Sequence, residues 1–199
     1  MIYVEFFERD RFMPLEIFRF MGDHAGWSDP DDTLFANLAR TMRIGPLPPN
    51  LAFWQCKGLE RLDQWEAFFR SDEGMRDVHE QASLRTLHLK HAGCYDVIVE
   101  GPKPGDGLQY VEFLDPGPEL ADEAMAEHFT RRAEAHSDGV LNIVVRRIGL
   151  LGPPHIGDMA VWTFPGYAAA EPIFRERHAD GPLRPLRAGV YRRFGEEIL

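Results

Sequence analysis

The chain has 199 residues, of which 44% are hydrophobic and 27% charged, enough apolar content to bury a core and too much for a disordered chain. A formal net charge of −10 and a pI of about 5.2 oppose attraction to nucleic-acid phosphates or anionic lipid. Two cysteines, Cys56 and Cys94, cannot make a disulfide framework; no apolar run approaches the roughly 18–20 residues of a membrane helix, and the opening MIYVEFFERD is no signal peptide, so a cytoplasmic protein with reduced thiols is expected.

The first predicted element is a strand. Tyr3-Val4-Glu5-Phe6-Phe7 alternates, with Tyr3, Glu5 and Phe7 on one face and Val4 and Phe6 on the other. Met21 to Asp32, between the expected first helix and second strand, is turn-rich and carries His24, Trp27 and four aspartates. Arg43-Ile44-Gly45 and the third-strand segment Ala52-Phe53-Trp54 follow, then Glu66-Ala67-Phe68-Phe69-Arg70 and Ala92-Gly93-Cys94-Tyr95. Gly101 to Gly107 (GPKPGDG) is a breaker-rich linker.

Beyond the linker the same series recurs in the same order. Tyr110-Val111-Glu112-Phe113-Leu114 answers the first strand and Arg147-Ile148-Gly149 the arginine segment. Ala160-Val161-Trp162 answers Ala52-Phe53-Trp54, Glu171 to Arg175 answers Glu66 to Arg70, and Ala188-Gly189-Val190-Tyr191 answers Ala92 to Tyr95. In this second copy Pro118 to Ala135 predicts a helix, with Pro118 near its start, acidic residues in its first turn, and Leu120, Ala124, Met125, Phe129 and Ala133 as its apolar stripe. Leu141 to Val145 and Met159 to Phe164 predict strands, Tyr167 to Arg177 a helix interrupted by Pro172, and Gly189 to Phe194 the last strand. Each copy reads β-α-β-β-α-β, so residues 1–100 and 108–199 are expected to be two ferredoxin-like units of an α+β protein, joined through 101–107.

Two such units with short, aromatic-rich strands resemble the dimeric α/β-barrel superfamily fused in tandem, in its NIPSNAP-like, EthD-like and antibiotic-biosynthesis-monooxygenase-like branches. The resemblance implies two four-stranded sheets packed sheet to sheet as a pseudo-dimeric barrel with helices outside, each sheet covering the other's second apolar face. It also implies a monomeric pseudo-dimer or a homodimer, acting on small molecules. Members of the superfamily include cyclases, isomerases, dehydratases and oxygenases.

Comparing the copies sorts scaffold from site. Glu5 and Glu112 are duplicated, each between apolar neighbours, where an ionised carboxylate needs a partner. The duplicated Arg43 and Arg147 are the expected partners, in structural bridges; the competing reading is a pocket carboxylate with a raised pKa. Trp54 and Trp162 are expected in the core, or as a pocket wall, and Tyr95 and Tyr191 in sheet packing. Tyr3 and Tyr110 read as core or as hydroxyl donors to a substrate. His24 and Trp27 lie in a stretch with no counterpart in the second copy, which makes Trp27 a candidate cover and His24 a candidate proton-transfer group. His128, beside Met125 and Phe129 on a helix, is the second such histidine, because an imidazole titrates near neutral pH.

A P-loop, a GxGxxG turn, a GxSxG elbow, HExxH and paired CxxC motifs are all missing from the sequence. These absences leave enzymes that need only an apolar pocket and proton-transfer groups, and the resemblance implies one without cofactor or metal, doing acid–base chemistry of the lyase, isomerase, dehydratase or cyclase type on a small apolar, oxygenated or aromatic molecule. His24 and His128 would be catalytic; Tyr3, Trp27, Arg43, Tyr110, Glu112 and Arg147 would bind substrate. The alternatives are a cofactorless monooxygenase, and a protein that binds haem or an apolar ligand without catalysis, with His128 or His24 as axial ligand.

Overall fold

Alternating strands and amphipathic helices assemble into one closed antiparallel barrel in a computed structural model, which describes residues 1–9, 33–39, 50–72, 87–114, 120–153, 156–176, 183 and 185–193. Among these, the elements in chain order are β1 (Ile2–Arg9), β2 (Thr33–Ala39), β3 (Asn50–Gln55), α1 (Glu60–Phe69), β4 (Leu87–Glu100), β5 (Leu108–Leu114), α2 (Asp122–Ala135), β6 (Val140–Arg147), β7 (Met159–Phe164), α3 (Tyr167–Phe174) and β8 (Pro185–Arg193). The class is α+β. No helix among the described residues is long and apolar enough to cross a membrane.

Around the barrel the strands run β1-β3-β2-β8-β5-β7-β6-β4, and β4 pairs with β1 to close the ring. The first four strands are thus ordered β4-β1-β3-β2 and the last four β8-β5-β7-β6, an identical sequence of neighbours. Two seams join them. Leu38 and Ala39 of β2 pair with Arg193 and Arg192 of β8, and Tyr95 to Glu100 of β4 pair with Arg147 to Ile143 of β6. The seams are hydrogen-bonded edges, so the two sets of strands form one continuous wall that leaves no open sheet edge. The 14-residue β4 makes one seam possible, because its first part pairs with β1 and its last with β6.

Each strand's period of two divides its side chains between the barrel interior and the outside. Inside lie Ile2, Val4, Phe6, Leu38, Leu51, Phe53, Tyr95, Val111, Phe113, Ile143, Val145, Met159, Val161 and Tyr191, drawn from all eight strands. An eight-stranded barrel is just wide enough for such side chains to fill it. Tyr95 and Tyr191 fold back over the glycine two residues earlier on the same face. A Cβ on Gly93 would come within 2.8 Å of the Tyr95 ring, and one on Gly189 within 2.6 Å of the Tyr191 ring. The duplicated Ala-Gly-X-Tyr segment is therefore a packing device.

On the outside of the second half, Leu108, Tyr110, Leu114, Ala160, Trp162, Phe164 and Val190 meet Met125 and Phe129 of α2 and Ala170 and Ile173 of α3. The i, i+4 spacing of Met125 and Phe129 gives α2 its buried stripe, and Arg132 continues it at i+7. β5 is buried along both faces, between the barrel core and the helix layer.

Candidate functional site on the outer sheet faces

Glu112 projects outward from the middle of β5. Its neighbours in register are two small residues, Ala160 on β7 and Ala188 on β8, which leave space above the carboxylate. One step along the same face, Tyr110 stands between Trp162 and Val190. The Trp162 indole N–H donates to Glu112 Oε2 at 3.1 Å. From α2, Arg132 reaches down with both terminal nitrogens, Nη1 to Oε2 and Nη2 to Oε1, each at 2.9 Å. Its guanidinium carbon lies 5.5 Å from the Trp162 ring centroid and 5.4 Å from that of Phe129. Arg132 Nη2 also donates to Glu176 Oε2 at 2.7 Å, and His136 Nε2 lies 3.3 Å from the same oxygen.

This is a closed ion pair. Glu112 is 0% exposed and Arg132 7%. Burial works against the charge on Arg132, but its contacts with Glu112 and Glu176 outweigh that and raise its pKa above the ordinary arginine value. A bidentate, fully bonded pair of this kind is how an interior tolerates two charges.

The expected bridge from Glu112 to Arg147 is corrected. Arg147 has the parity of Ile143 and Val145, whose side chains enter the barrel, while Glu112 faces outward. β7 also lies between β5 and β6. Arg147 instead holds the turn after β6, donating to the carbonyls of Gly149, Pro153 and Ile156 at 3.0–3.1 Å. The true partner could have been found from spacing, since Arg132 shares the stripe of Met125 and Phe129.

The first half repeats the sheet part of this arrangement. Glu5 stands between Ala52 on β3 and Ala92 on β4, and Tyr3 between Trp54 and Cys94. The Trp54 indole N–H donates to Glu5 Oε2 at 2.7 Å. Here the resemblance between the faces stops. Among the described residues no cation reaches Glu5, and Tyr3, Glu5 and Trp54 are all half-buried where Glu112 and Trp162 are sealed. Burial raises the pKa of Glu5 to about 7, against the lowering effect of the Trp54 N–H. Burial, then the nearby Glu5, Cys94 and Cys56, pushes the Tyr3 phenol above its ordinary value, and burial does the same to the Cys94 thiol.

The remaining candidates distribute as follows. Tyr110 packs edge-on to Phe174 with ring centroids 5.1 Å apart, and burial, then Glu112, raises its pKa. His128 lies half-buried on α2 with its ring edge-on to Phe129 at 5.3 Å; burial, then Arg132, lowers its pKa and keeps it neutral. Arg132, rather than His128, meets the carboxylate. His24, Trp27 and Arg43, and with Arg43 the expected bridge to Glu5, lie outside the described residues. Trp54, Arg132 and Glu176 were not among the expected site residues.

No protein-family model matches the chain, and no curated protein does. Solved structures do. The chain is similar to a mutant chlorite dismutase from Candidatus Nitrospira defluvii in complex with cyanide, at 10% identity over 98% of this chain and 90% of that one, with a TM-score of 0.55. A second mutant of that chlorite dismutase matches at 12% identity over 96% and 90%, with a TM-score of 0.53. A protein from Lactobacillus acidophilus assigned as a monooxygenase matches at 12% over 96% and 92%, also with a TM-score of 0.53. The chain has the ferredoxin-like dimeric α/β-barrel fold. At such identities the likeness shows the fold alone, and it singles out neither the NIPSNAP-like nor the EthD-like branch.

The expectation of a protein without a cofactor is corrected by this likeness, because chlorite dismutases are haem proteins and haem is a cofactor that the fold accommodates. The second half's outer face does not fit one. Met125, Phe129 and Trp162 are each 0% exposed between α2 and the sheet, and a macrocycle there would have to part Arg132 from Glu112. The barrel interior is filled by side chains in the same way. Accessible surface remains on the first half's outer face, around Tyr3, Glu5 and Trp54.

Proposed function

We propose that this chain is a small-molecule enzyme built from two tandem ferredoxin-like units, 1–100 and 108–199, of which the second is scaffold and the first holds the site. The observation that carries this reading is the half-buried Glu5 carboxyl, which accepts from Trp54 and which no cation reaches among the described residues. The same carboxylate–indole pair is neutralised and sealed in one half, and left half-buried, with a pKa of about 7, in the other. A carboxyl poised near neutral pH is suited to take up and return a proton. The Trp54 N–H donates to Oε2, and Oε1, which no donor meets among the described residues, is the oxygen assigned to the substrate. The Tyr3 phenol, kept protonated by its surroundings, stands beside the pair as a donor to a substrate oxygen. Proton transfer at one carbon or oxygen suits lyase, isomerase or dehydratase chemistry on an oxygenated or aromatic molecule. A closed barrel within one chain needs no second copy, so a monomer or a loosely associated homodimer is consistent with it.

The likeness to chlorite dismutases supports a second reading, a haem protein, with the first half's outer face as the place left for the ligand. Reconstitution with haemin separates the two: a stoichiometric Soret band that Phe129 substitutions leave unchanged favours haem on the first half.

The proton-transfer reading is tested by following the Glu5 carboxyl by carbon NMR and by assaying Glu5→Gln on a panel of small phenols and ketones. Titration near pH 7 and a loss of turnover of about 10²–10⁴-fold with the fold intact are expected. Titration in the ordinary carboxylate range, or unchanged turnover in Glu5→Gln, would overturn it.

A further inference from the structure

We propose that residues 101–107, expected from the sequence as a linker, form a clasp that closes the barrel within one chain and bars exchange of halves between two copies. The order β5-β7-β6-β4 sets two strands between β4 and β5. The connection must therefore cross the ends of β6 and β7, a span of about 14 Å at three inter-strand spacings. Fully extended, residues 101–107 would reach about 23 Å, so a slack tether would also join the strands. The connection is not slack. The Gly101 N–H donates to the Asn142 carbonyl at 2.8 Å, one step beyond the last β4–β6 register pair, Glu100 with Ile143. A Cβ on Gly101 would lie 2.3 Å from the Leu141 carbonyl oxygen. Asn142 Nδ2 donates to the Pro102 carbonyl and Gln109 Nε2 to the Gly105 carbonyl, each at 2.9 Å. Thr163 ties the two amides together, its hydroxyl 2.7 Å from Gln109 Oε1 and from Asn142 Oδ1 with one proton to share. Gln109 is 0% exposed and Asn142 1%, and Pro104, between the two anchored carbonyls in the chain, is buried. Gly107, at φ 128°, lies so close to β7 that a Cβ would stand 2.4 Å from the Phe164 carbonyl oxygen.

Contacts on β5, β6 and β7 thus hold both ends of the clasp to one barrel, and that geometry selects the partner. The seams β2–β8 and β4–β6 join the first four strands to the last four through hydrogen-bonded edges. Two copies could form the same seams reciprocally, the first four strands of each closing on the last four of the other. The seam bonds are alike in both arrangements, so the connection decides between them. In an exchanged dimer, residues 101–107 would run from one barrel to the other and could not rest on Asn142 and Phe164 of the same one. A flexible tether by itself gives an effective concentration of about a millimolar. Bonds made only when the barrel closes on its own chain raise that value. The Glu5 and Glu112 faces are each built within one half, so exchange would leave both intact, and the clasp governs assembly rather than the site.

Asn142→Ala combined with Gln109→Ala releases both anchored carbonyls, and Gly107→Ala disturbs the β7 end of the clasp alone. Each full chain is unfolded in urea and refolded with an isotope-labelled copy of itself, at micromolar and at millimolar concentration. Native mass spectrometry then measures dimers of mixed mass. Exchanged dimers arise only on refolding together, whereas loosely associated ones also arise when the folded proteins are mixed. The wild type should stay closed on itself at both concentrations. The variants should hold about tenfold or more exchanged dimer at millimolar concentration, the effect of losing two hydrogen bonds made only in the self-closed form. Predominant exchanged dimer in the wild type, or folded variants that match the wild type, overturns the proposal. Where a variant does not fold, the side-chain amide protons of Gln109 and Asn142 in the wild type decide. Slow exchange with water supports the clasp, and exchange as fast as that of an exposed amide overturns it.

Discussion

Glu112 and Glu5 stand at matching places in two sheets of the same strand order, each between two alanines and each bonded to an indole N–H two strand positions from a tyrosine. One is 0% exposed and locked to Arg132; the other is half-buried and met by no cation among the described residues. In the second half the sheet supplies the carboxylate and the indole, and α2 supplies the guanidinium that makes the carboxylate a structural ion.

The sharpest way to break this contrast is to remove the cation. Arg132→Met leaves Glu112 charged and unpaired in the interior and should cost about 3–5 kcal/mol in urea unfolding. The double variant with Glu112→Gln should recover much of that. A loss under about 1 kcal/mol would mean that the second half is not the locked one.

The barrel interior should show no such asymmetry. Gly93→Ala and Gly189→Ala each drive a Cβ into a buried tyrosine ring and should cost about 1–3 kcal/mol apiece, by similar amounts. Thermal unfolding of the two variants, compared side by side, checks whether the interior is as symmetric as the outer faces are different.

Glu5 makes a smaller contribution with a definite sign. Its carboxyl titrates near pH 4.5 in the unfolded chain and near 7 in the folded one. Below about pH 4.5 both states hold the proton and there is no penalty. Between pH 4.5 and 7 the unfolded state ionises first, so stability falls as pH rises, and above 7 the penalty is complete. Glu5→Gln should remove that fall and stabilise the protein at pH 8 by about 1–2 kcal/mol, allowing for the solvent that reaches a half-buried carboxyl. A pH-stability profile of the variant parallel to the wild type would break the comparison.

The smallest effect is expected at His128. Neutral, half-buried and edge-on to Phe129, it serves neither carboxylate, and His128→Gln should change stability by less than about 0.5 kcal/mol and leave turnover intact. A large loss of turnover would return the proton-transfer role to the second half.

Local pattern locates much of this architecture. Met159–Phe164 is a strand where alternation places it, and the strand expected over 141–145 extends to Val140–Arg147. The last strand begins earlier than expected, at Pro185, because Leu186 and Arg187 are exposed and show no apolar alternation there; pairing with β5 makes them strand. The site was less legible. Duplication correctly marked Glu5 and Glu112 as costly positions, but the duplicated Arg147 was a poor guide to pairing, since its parity sends it to the barrel end rather than to the outer face. The histidines drew attention through their ordinary pKa, while burial raises the pKa of a carboxyl, Glu5, to about 7.

What the sequence alone determined is the set of strands and their two faces, because a period of two is a property of neighbouring residues. It also marked the positions where a charge sits among apolar side chains. Only the tertiary structure decided that the sheets close edge to edge through β2–β8 and β4–β6, and that Arg132 crosses from α2 to Glu112. Those contacts join residues far apart in the chain, and their choice depends on the direction in which each side chain leaves its element, which no local spacing records.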